Sequence, residues 1–106
     1  MADLILILTT VPDDHDAERL ARALVDEGLV ACVNVHAPMT SIYRWKGTVE
    51  REAERQLVIK TTRERLPQVE ARLRALHPYE LPELIVLSAE AGEAYGAWVV
   101  DVSRSV

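Results

Sequence analysis

The segment Ala-Leu-His-Pro-Tyr-Glu-Leu-Pro-Glu-Leu, residues 75–84, concentrates side chains that could do chemistry. A neutral imidazole such as that of His77 is a ligand for borderline cations, including Cu(II) and Zn(II). His77 also falls at the predicted end of a helix, where Pro78 would stop the helix and an imidazolium would complement its dipole. One histidine without partners at ligand spacing favours this structural interpretation, with metal binding as the alternative. In either case Tyr79 and Glu80 are predicted to line a cleft.

Carboxylates and a thiol elsewhere extend the set of candidate metal ligands. Glu50, Glu52 and Glu54 alternate along one predicted strand, so they share a face, and hard cations prefer such oxygen ligands. Most rows of this kind are solvated strand edges that discourage aggregation. Cys32 is a candidate soft ligand, although its apolar neighbours favour a small buried side chain. The resulting metal hypothesis is a divalent ion such as Cu or Zn at His77, Glu54 and Cys32.

Other side chains suit a subunit interface or a small anionic ligand. Lys60 ends the strand that carries the glutamates, where it would pair with one of them or meet an anion between subunits. Tyr79 and Trp98 each join an apolar body to a polar group, which fits an interface cleft as well as a core. The sequence contains no glycine-flanked serine elbow, metalloprotease helix motif or phosphate-cradling glycine loop, so we predict no enzymatic activity.

Composition limits the class of protein. With 106 residues, 49% of them hydrophobic and 27% charged, the chain is predicted to form one domain over residues 1–106. A net charge of -5, from 17 acidic and 12 basic side chains, argues against a nucleic-acid surface and favours cationic partners. No segment approaches the roughly 20 apolar residues that span a bilayer. We therefore expect no membrane association and a cytoplasmic location.

Hydrophobic periodicity predicts the elements that position these residues. The unbroken run Leu4 to Leu8 is typical of a central strand buried on both faces, and Val30 to Val35 and Leu84 to Leu87 are further strands. Aspartates at 13–16 can cap a first helix, which Gly28 ends. The apolar stripes of three predicted helices are Ala17, Leu20, Ala21 and Leu24; Leu66, Val69, Leu73 and Leu76; and Tyr95, Trp98, Val99 and Val102.

The element order is βαββαβ followed by a short C-terminal helix. Two βαβ-like halves joined by a hairpin suit an α+β, ferredoxin-like fold, with an antiparallel sheet and both main helices on one face. The hairpin joins the second and third predicted strands through Lys46-Gly47. Thr61 and Glu64 have the spacing of a capping box for the second helix, but Pro67 favours a slightly later start.

The hairpin is too long for the domain that carries it. Arms of about 14 residues reach roughly 45 Å at about 3.3 Å per residue, whereas a small domain is about 30 Å across. The predicted register places Tyr43 and Trp45 on one face of the overhanging tip with Glu50, Glu52 and Glu54. Because bare aromatic rings on an isolated ribbon are costly, we expect the tip to pack on another copy of the chain in a closed homo-oligomer.

Four ordered motifs resemble one known family. Leu-Val-Ala-Cys-Val-Asn-Val at 29–35, Thr-Ser-Ile-Tyr-Arg-Trp-Lys-Gly at 40–47, Ile-Lys-Thr at 59–61 and His-Pro-Tyr-Glu-Leu-Pro-Glu at 77–83 are similar to the CutA family of divalent-cation tolerance proteins. The resemblance implies a ferredoxin-like homotrimer, similar in architecture to the PII signalling proteins. It also implies a cytoplasmic role in tolerance of divalent metals, notably copper, without an established reaction.

The resemblance also implies positions for a copper site. The resemblance implies that some family members bind copper through a first-strand cysteine and paired histidines before the Pro-Tyr motif, and this chain has Thr9 and Leu76-His77 at those positions. Cys32 matches the Ala-Cys-Val-Asn motif of the family. Two alternatives stay open: a PII-like regulatory trimer that binds a small anionic ligand near Lys60 in intersubunit clefts, and a structural trimer that anchors other proteins.

Overall fold

A computed structural model describes residues 2–104 of the chain. The described residues form five strands and three α-helices in the predicted order, with the first arm of the hairpin divided into two strands. The elements are β1 (Ala2–Pro12), α1 (Ala17–Asp26), β2 (Cys32–Val35), β3 (Met39–Trp45), β4 (Thr48–Thr61), α2 (Leu66–Leu76), β5 (Ile85–Ala91) and α3 (Glu93–Val102), with a 3-10 turn at Arg63–Arg65 before α2.

Strand β1 lies in the interior of one antiparallel sheet, which confirms the position predicted from its unbroken apolar run. It pairs with β4 on one side and β5 on the other, while β2 and β3 pair with successive parts of β4. Helices α1 and α2 cover one face of this sheet. The largest fully buried side chains of this core are Ile5, Ile7, Val11, Leu24, Val30, Leu57, Ile59 and Val69. The predicted ferredoxin-like α+β fold is therefore confirmed.

The opposite face of the sheet is only partly covered. Helix α3 packs over one end of it, where Val99 joins Leu4 and Ala31 in a small second core. Beyond α3, Ile85 and Leu87 of β5 are each 45% exposed. The apolar strands were predicted to be buried on both faces. In the single chain they are buried on the face that α1 and α2 cover, and β5 is partly exposed on the other face.

The apolar stripe predicted for α3 is buried at one position of four. Val99 is fully buried, whereas Tyr95, Trp98 and Val102 are exposed. The reason is that only a narrow face of α3 is buried. Gly96 and Val99 form this buried face, and the three larger exposed residues lie outside it. The exposed residues and the open part of the sheet form a largely apolar surface.

The β3–β4 hairpin overhangs the core as predicted. Lys46 and Gly47 both have positive φ, at 50° and 82°, which is the geometry of the tight hairpin turn that matches strand twist. Tyr43 pairs with Glu50 and Trp45 with Thr48, so the predicted face is confirmed. The principal dimensions of 45 × 25 × 23 Å show the elongation that the hairpin produces.

The start of α2 departs from one prediction. Pro67 lies in the first turn of a helix that begins at Leu66, as expected from the preference of proline for that turn. The capping box does not form, because the Thr61 hydroxyl donates instead to the carbonyl oxygen of Leu29 at 2.8 Å. This bond ties the end of β4 to the loop before β2.

Helix α1 offers a direct test of a local cap. The Asp16 carboxylate accepts a hydrogen bond from the backbone N–H of Arg19 at 3.1 Å, so Asp16→Ala should lower the free energy of unfolding by about 1 kcal/mol. The matched control is Asp14→Ala, which removes a carboxylate from the same loop outside the cap position and should change stability by less than about 0.5 kcal/mol. Urea unfolding at one fixed protein concentration measures both, and equal losses would contradict the cap assignment.

Candidate functional site

A groove of about 570 Å³ lies between the hairpin and the loop that follows α2. One side is formed by alternate residues of β3 and β4, whose side chains share the predicted face of the ribbon. The other side is formed by the loop that begins at Pro78, a residue that cannot continue α2. The groove is lined by Thr10, Met39, Ser41, Tyr43, Trp45, Glu54, Gln56, Pro78, Tyr79, Glu80, Leu81 and Glu83.

His77 caps α2 and holds the following loop against β1. Its backbone N–H donates to the carbonyl of Leu73, and the residue is 8% exposed. Nε2 lies 2.7 Å from the carbonyl oxygen of Thr10 and 3.2 Å from Oγ1 of Thr9. Because a carbonyl oxygen only accepts, Nε2 carries the proton, and Nδ1 accepts the backbone N–H of Tyr79 at 3.1 Å. Both ring nitrogens are therefore engaged in one subunit.

The surroundings of His77 favour its neutral form. Burial lowers the pKa of His77 below its usual value of 6.5, and the nearby His15 acts in the same direction. The Thr10 carbonyl and the Glu54 carboxylate act in the opposite direction but do not reverse the shift of the pKa. The neutral tautomer matches the hydrogen bonds at both nitrogens.

Glu54 is a nearly buried carboxylate at the floor of the groove. Only 6% of the residue is exposed, and its Oε2 accepts a hydrogen bond from the Tyr79 hydroxyl at 2.5 Å. Among residues 2–104, no group hydrogen-bonds to Oε1 and no lysine or arginine pairs with the carboxylate. Since Oε1 has neither a protein hydrogen-bond partner nor a compensating charge among the described residues, the position is suited to a cation.

The electrostatic field in the groove is negative. Burial and then the hydrogen bond to Glu54 raise the pKa of the Tyr79 phenol far above its usual value, so it remains a donor. Desolvation, followed by the charges of Glu52, Glu54 and Glu50, raises the pKa of Tyr43. Negative charge from the glutamates therefore adds to the effect of desolvation at two tyrosines on opposite sides of the groove.

Gln56 and Glu83 complete the site and were not predicted. The Gln56 side-chain amide donates to the carbonyl of Thr9 and to Oε2 of Glu83, both at 3.0 Å. Gln56 follows Glu54 by two positions, so strand alternation could have placed it on the same face. Glu83 lies in an irregular loop, where no periodicity indicates which way a side chain points.

The structure separates the three predicted metal ligands within one subunit. His77 and Glu54 meet through Tyr79, which bonds to both. Cys32 pairs with Lys60, six positions from Glu54 along β4, or about 20 Å at 3.3 Å per residue. Within the part of the chain that the structure describes, no three His, Cys, Asp or Glu side chains converge as a metal cluster.

The predicted cleft residues also fall into two groups. Tyr43, Trp45, Tyr79 and Glu80 line the groove. Lys60 lies near α3, with its Nζ 6.0 Å from the ring centroid of Tyr95, and that ring lies 5.5 Å from Trp98. The second group belongs to the apolar surface beside α3.

Comparison with known proteins identifies the family. The family model described as CutA1 divalent ion tolerance protein matches residues 5–102. The chain belongs to the CutA family. The two positions that the resemblance associated with copper, Thr9 and His77, are in contact in this member.

Individual relatives agree over most of the chain. The divalent-cation tolerance protein CutA of Thermus thermophilus is 44% identical, and the match covers 89% of this chain and 92% of that protein. Human protein CutA is 42% identical over 92% of this chain, which spans only 55% of the human protein. The solved structure of the PII-like protein CutA from Nostoc sp. PCC 7120 superposes with a TM-score of 0.88 at 39% identity, covering 96% of this chain and 99% of that one.

The helices of residues 2–104 include none with the length and apolar character required to cross a bilayer.

The shifted pKa of His77 predicts how stability depends on pH. Because its pKa is lower in the folded than in the unfolded chain, the unfolded chain binds more protons as pH falls through about 6.5. This contribution to stability is complete above that value and is lost as pH falls from it towards the folded-state pKa.

Urea unfolding at about pH 7.5 and about pH 5, on either side of the pKa that histidine has in an unfolded chain, tests this expectation. His77→Asn cannot titrate, so the difference in unfolding free energy between the two pH values should shrink relative to the wild type. The control His36→Gln replaces an exposed histidine outside this network and should keep the wild-type difference. An unchanged difference in His77→Asn would exclude His77 as its source.

Proposed function

We propose that the chain is the subunit of a homotrimer that supports tolerance of divalent cations by binding them in the groove at Glu54. The observation that carries the proposal is a nearly buried carboxylate that has, among the described residues, one oxygen unpartnered and no basic side chain beside it. Family membership supplies the connection to divalent cations. We propose a cytoplasmic, non-enzymatic role, in line with the sequence expectations.

The donor set supports a divalent ion such as Cu or Zn, with unequal roles for the predicted ligands. Glu54 offers a free oxygen, and Glu80 and Glu83 line the same groove, although the three carboxylates do not converge as a cluster among the described residues. His77 would join such a site only if Nδ1 released the Tyr79 N–H, so its first role is to position Tyr79 and, through it, Glu54. Cys32 lies on the same part of the surface as Lys60, where a soft ion would form a separate site.

The partly open sheet supports assembly into a trimer. Ile85 and Leu87 belong to an apolar run typical of a strand covered on both faces, yet one face is bare in a single subunit. Tyr43 and Trp45 are each 39% exposed, so the strands do not curl back to bury them. Contiguous apolar surface of this kind is characteristic of a subunit interface.

Metal binding is tested by isothermal titration with Cu(II) and Zn(II). Glu54→Gln keeps the shape of the side chain and removes its charge, so it should weaken binding at least about tenfold, since charged hydrogen-bond partners contribute about 1.5–3 kcal/mol. His77→Ala should weaken binding less, through lost positioning. Glu90→Gln, an exposed site on β5, is the control and should bind as the wild type does. Identical binding by Glu54→Gln and wild type would refute the assignment.

Assembly is tested by light scattering at micromolar concentration. The wild type should have a mass close to three times the 11.9 kDa of one subunit. Leu87→Glu would bury a charge at the proposed interface and should shift the protein to monomers. Val25→Glu introduces the same charge at a comparably exposed residue of α1, on the other side of the sheet, and should remain trimeric. A monomer mass for the wild type would remove the proposal.

A PII-like regulatory trimer with a small anionic ligand is the second candidate. Lys60, with its ammonium group over Tyr95, is the observation that favours it, together with the similarity to the PII-like Nostoc protein. The titration above separates the candidates: loss of metal binding on Glu54→Gln supports the first, whereas metal binding that does not depend on Glu54 leaves the Lys60 surface as the better candidate.

A further inference from the structure

We propose that the groove also binds a short aliphatic diamine, with one ammonium group at Glu54 and the other at Glu83. This goes beyond the proposed function, because the ligand is organic and uses groove walls that a bare metal ion does not need. The starting point is again Glu54, which is more than nine-tenths buried, lines the groove and has an Oε1 without a partner among residues 2–104. An ammonium group supplies both the missing charge and the missing hydrogen bonds.

A second carboxylate is held in place in the same groove. Gln56 lies two residues beyond Glu54 on the same face of β4, which is about 7 Å along the strand. Its amide donates to Oε2 of Glu83 at 3.0 Å and so anchors that carboxylate on the groove wall. Glu54 and Glu83 therefore present two carboxylates in one groove, one for each ammonium group of an aliphatic diamine.

Apolar and aromatic side chains line the same groove. Met39, Tyr43, Trp45 and Leu81 line the groove and would cover methylene groups, and the side chains of Trp45 and Leu81 contribute no ligand to a divalent ion. Aromatic faces also attract ammonium groups. The chain itself provides an example, since the Nζ of Lys46 lies 5.7 Å from the ring centroid of Trp45.

Charge complementarity selects a cation as the occupant. Of the residues that the structure describes, three glutamates line the groove and no lysine, arginine or histidine does. The raised pKa of Tyr43 is consistent with this field. An anionic or neutral ligand of the same shape would lack a partner for these carboxylates.

Three probes with the same four-carbon chain test the proposal by isothermal titration at constant ionic strength. The probes are 1,4-diaminobutane, n-butylamine and 1-butanol, which carry two, one and no ammonium groups. We expect saturable binding of the diamine, binding at least about tenfold weaker for the monoamine, and no measurable binding of the alcohol. Equal binding of diamine and monoamine, or no saturation by the diamine at millimolar concentration, would overturn the two-carboxylate assignment.

Variants separate this ligand from an inorganic ion. Glu54→Gln should lower the affinity for the diamine at least about tenfold. Trp45→Leu should lower the affinity for the diamine severalfold. Its affinity for Zn(II) should stay at the wild-type level, because the ring supplies no metal ligand. The matched control Trp98→Leu removes an exposed ring outside the groove and should leave diamine binding unchanged.

Each remaining outcome has a definite meaning. Diamine binding that survives Glu54→Gln, or that falls equally in Trp45→Leu and Trp98→Leu, contradicts the site. Dissociation of the Glu54→Gln or Trp45→Leu protein in light scattering would show that a neighbouring copy occupies the groove, which also contradicts the proposal. Zn(II) binding without diamine binding would leave the proposed function intact and reject this inference alone.

Discussion

The hydrogen bond from the Tyr79 hydroxyl to the Glu54 carboxylate is the contact on which the rest of the groove depends. It joins the long ribbon to the loop after α2, two segments that are also held together through Gln56 and Glu83. His77 positions Tyr79, because its Nδ1 accepts the backbone N–H of Tyr79 while its Nε2–H donates to the carbonyl oxygen of Thr10 in β1. The chain therefore keeps a carboxylate nearly buried and still leaves one of its oxygens without a protein partner among the described residues, an arrangement that suits a bound cation.

A second constraint is the imbalance between the two faces of the sheet. Helices α1 and α2 cover the core on one face, whereas α3 covers only the end of the other, around Leu4 and Val99. The exposed side chains of β5 and α3 include residues as apolar as those of the core. This imbalance, together with a hairpin that overhangs the core, leaves the apolar surface that the proposed trimer would bury.

Much of the architecture was predictable because it rests on local periodicity. The stripe of α1 is buried at all four predicted positions, and the Lys46-Gly47 turn determined the register that places Tyr43 beside Glu50. The site was predicted less completely. Glu54, Tyr79 and His77 were identified by chemistry, but the contacts of Tyr79 with Glu54 and of His77 with Thr10 join residues 25 and 67 positions apart, which no local pattern encodes.

By itself the sequence determined the order of the elements, the overhanging hairpin and the family, because each of these depends on side-chain alternation, turn residues or motifs that are short in sequence. Only the tertiary structure decided which candidates meet. It brought His77 and Glu54 to one tyrosine and placed Cys32 beside Lys60, far along β4 from the groove. The reason is geometric: strand pairing and the path of the loop after α2 set these distances, and both are products of packing across the whole domain.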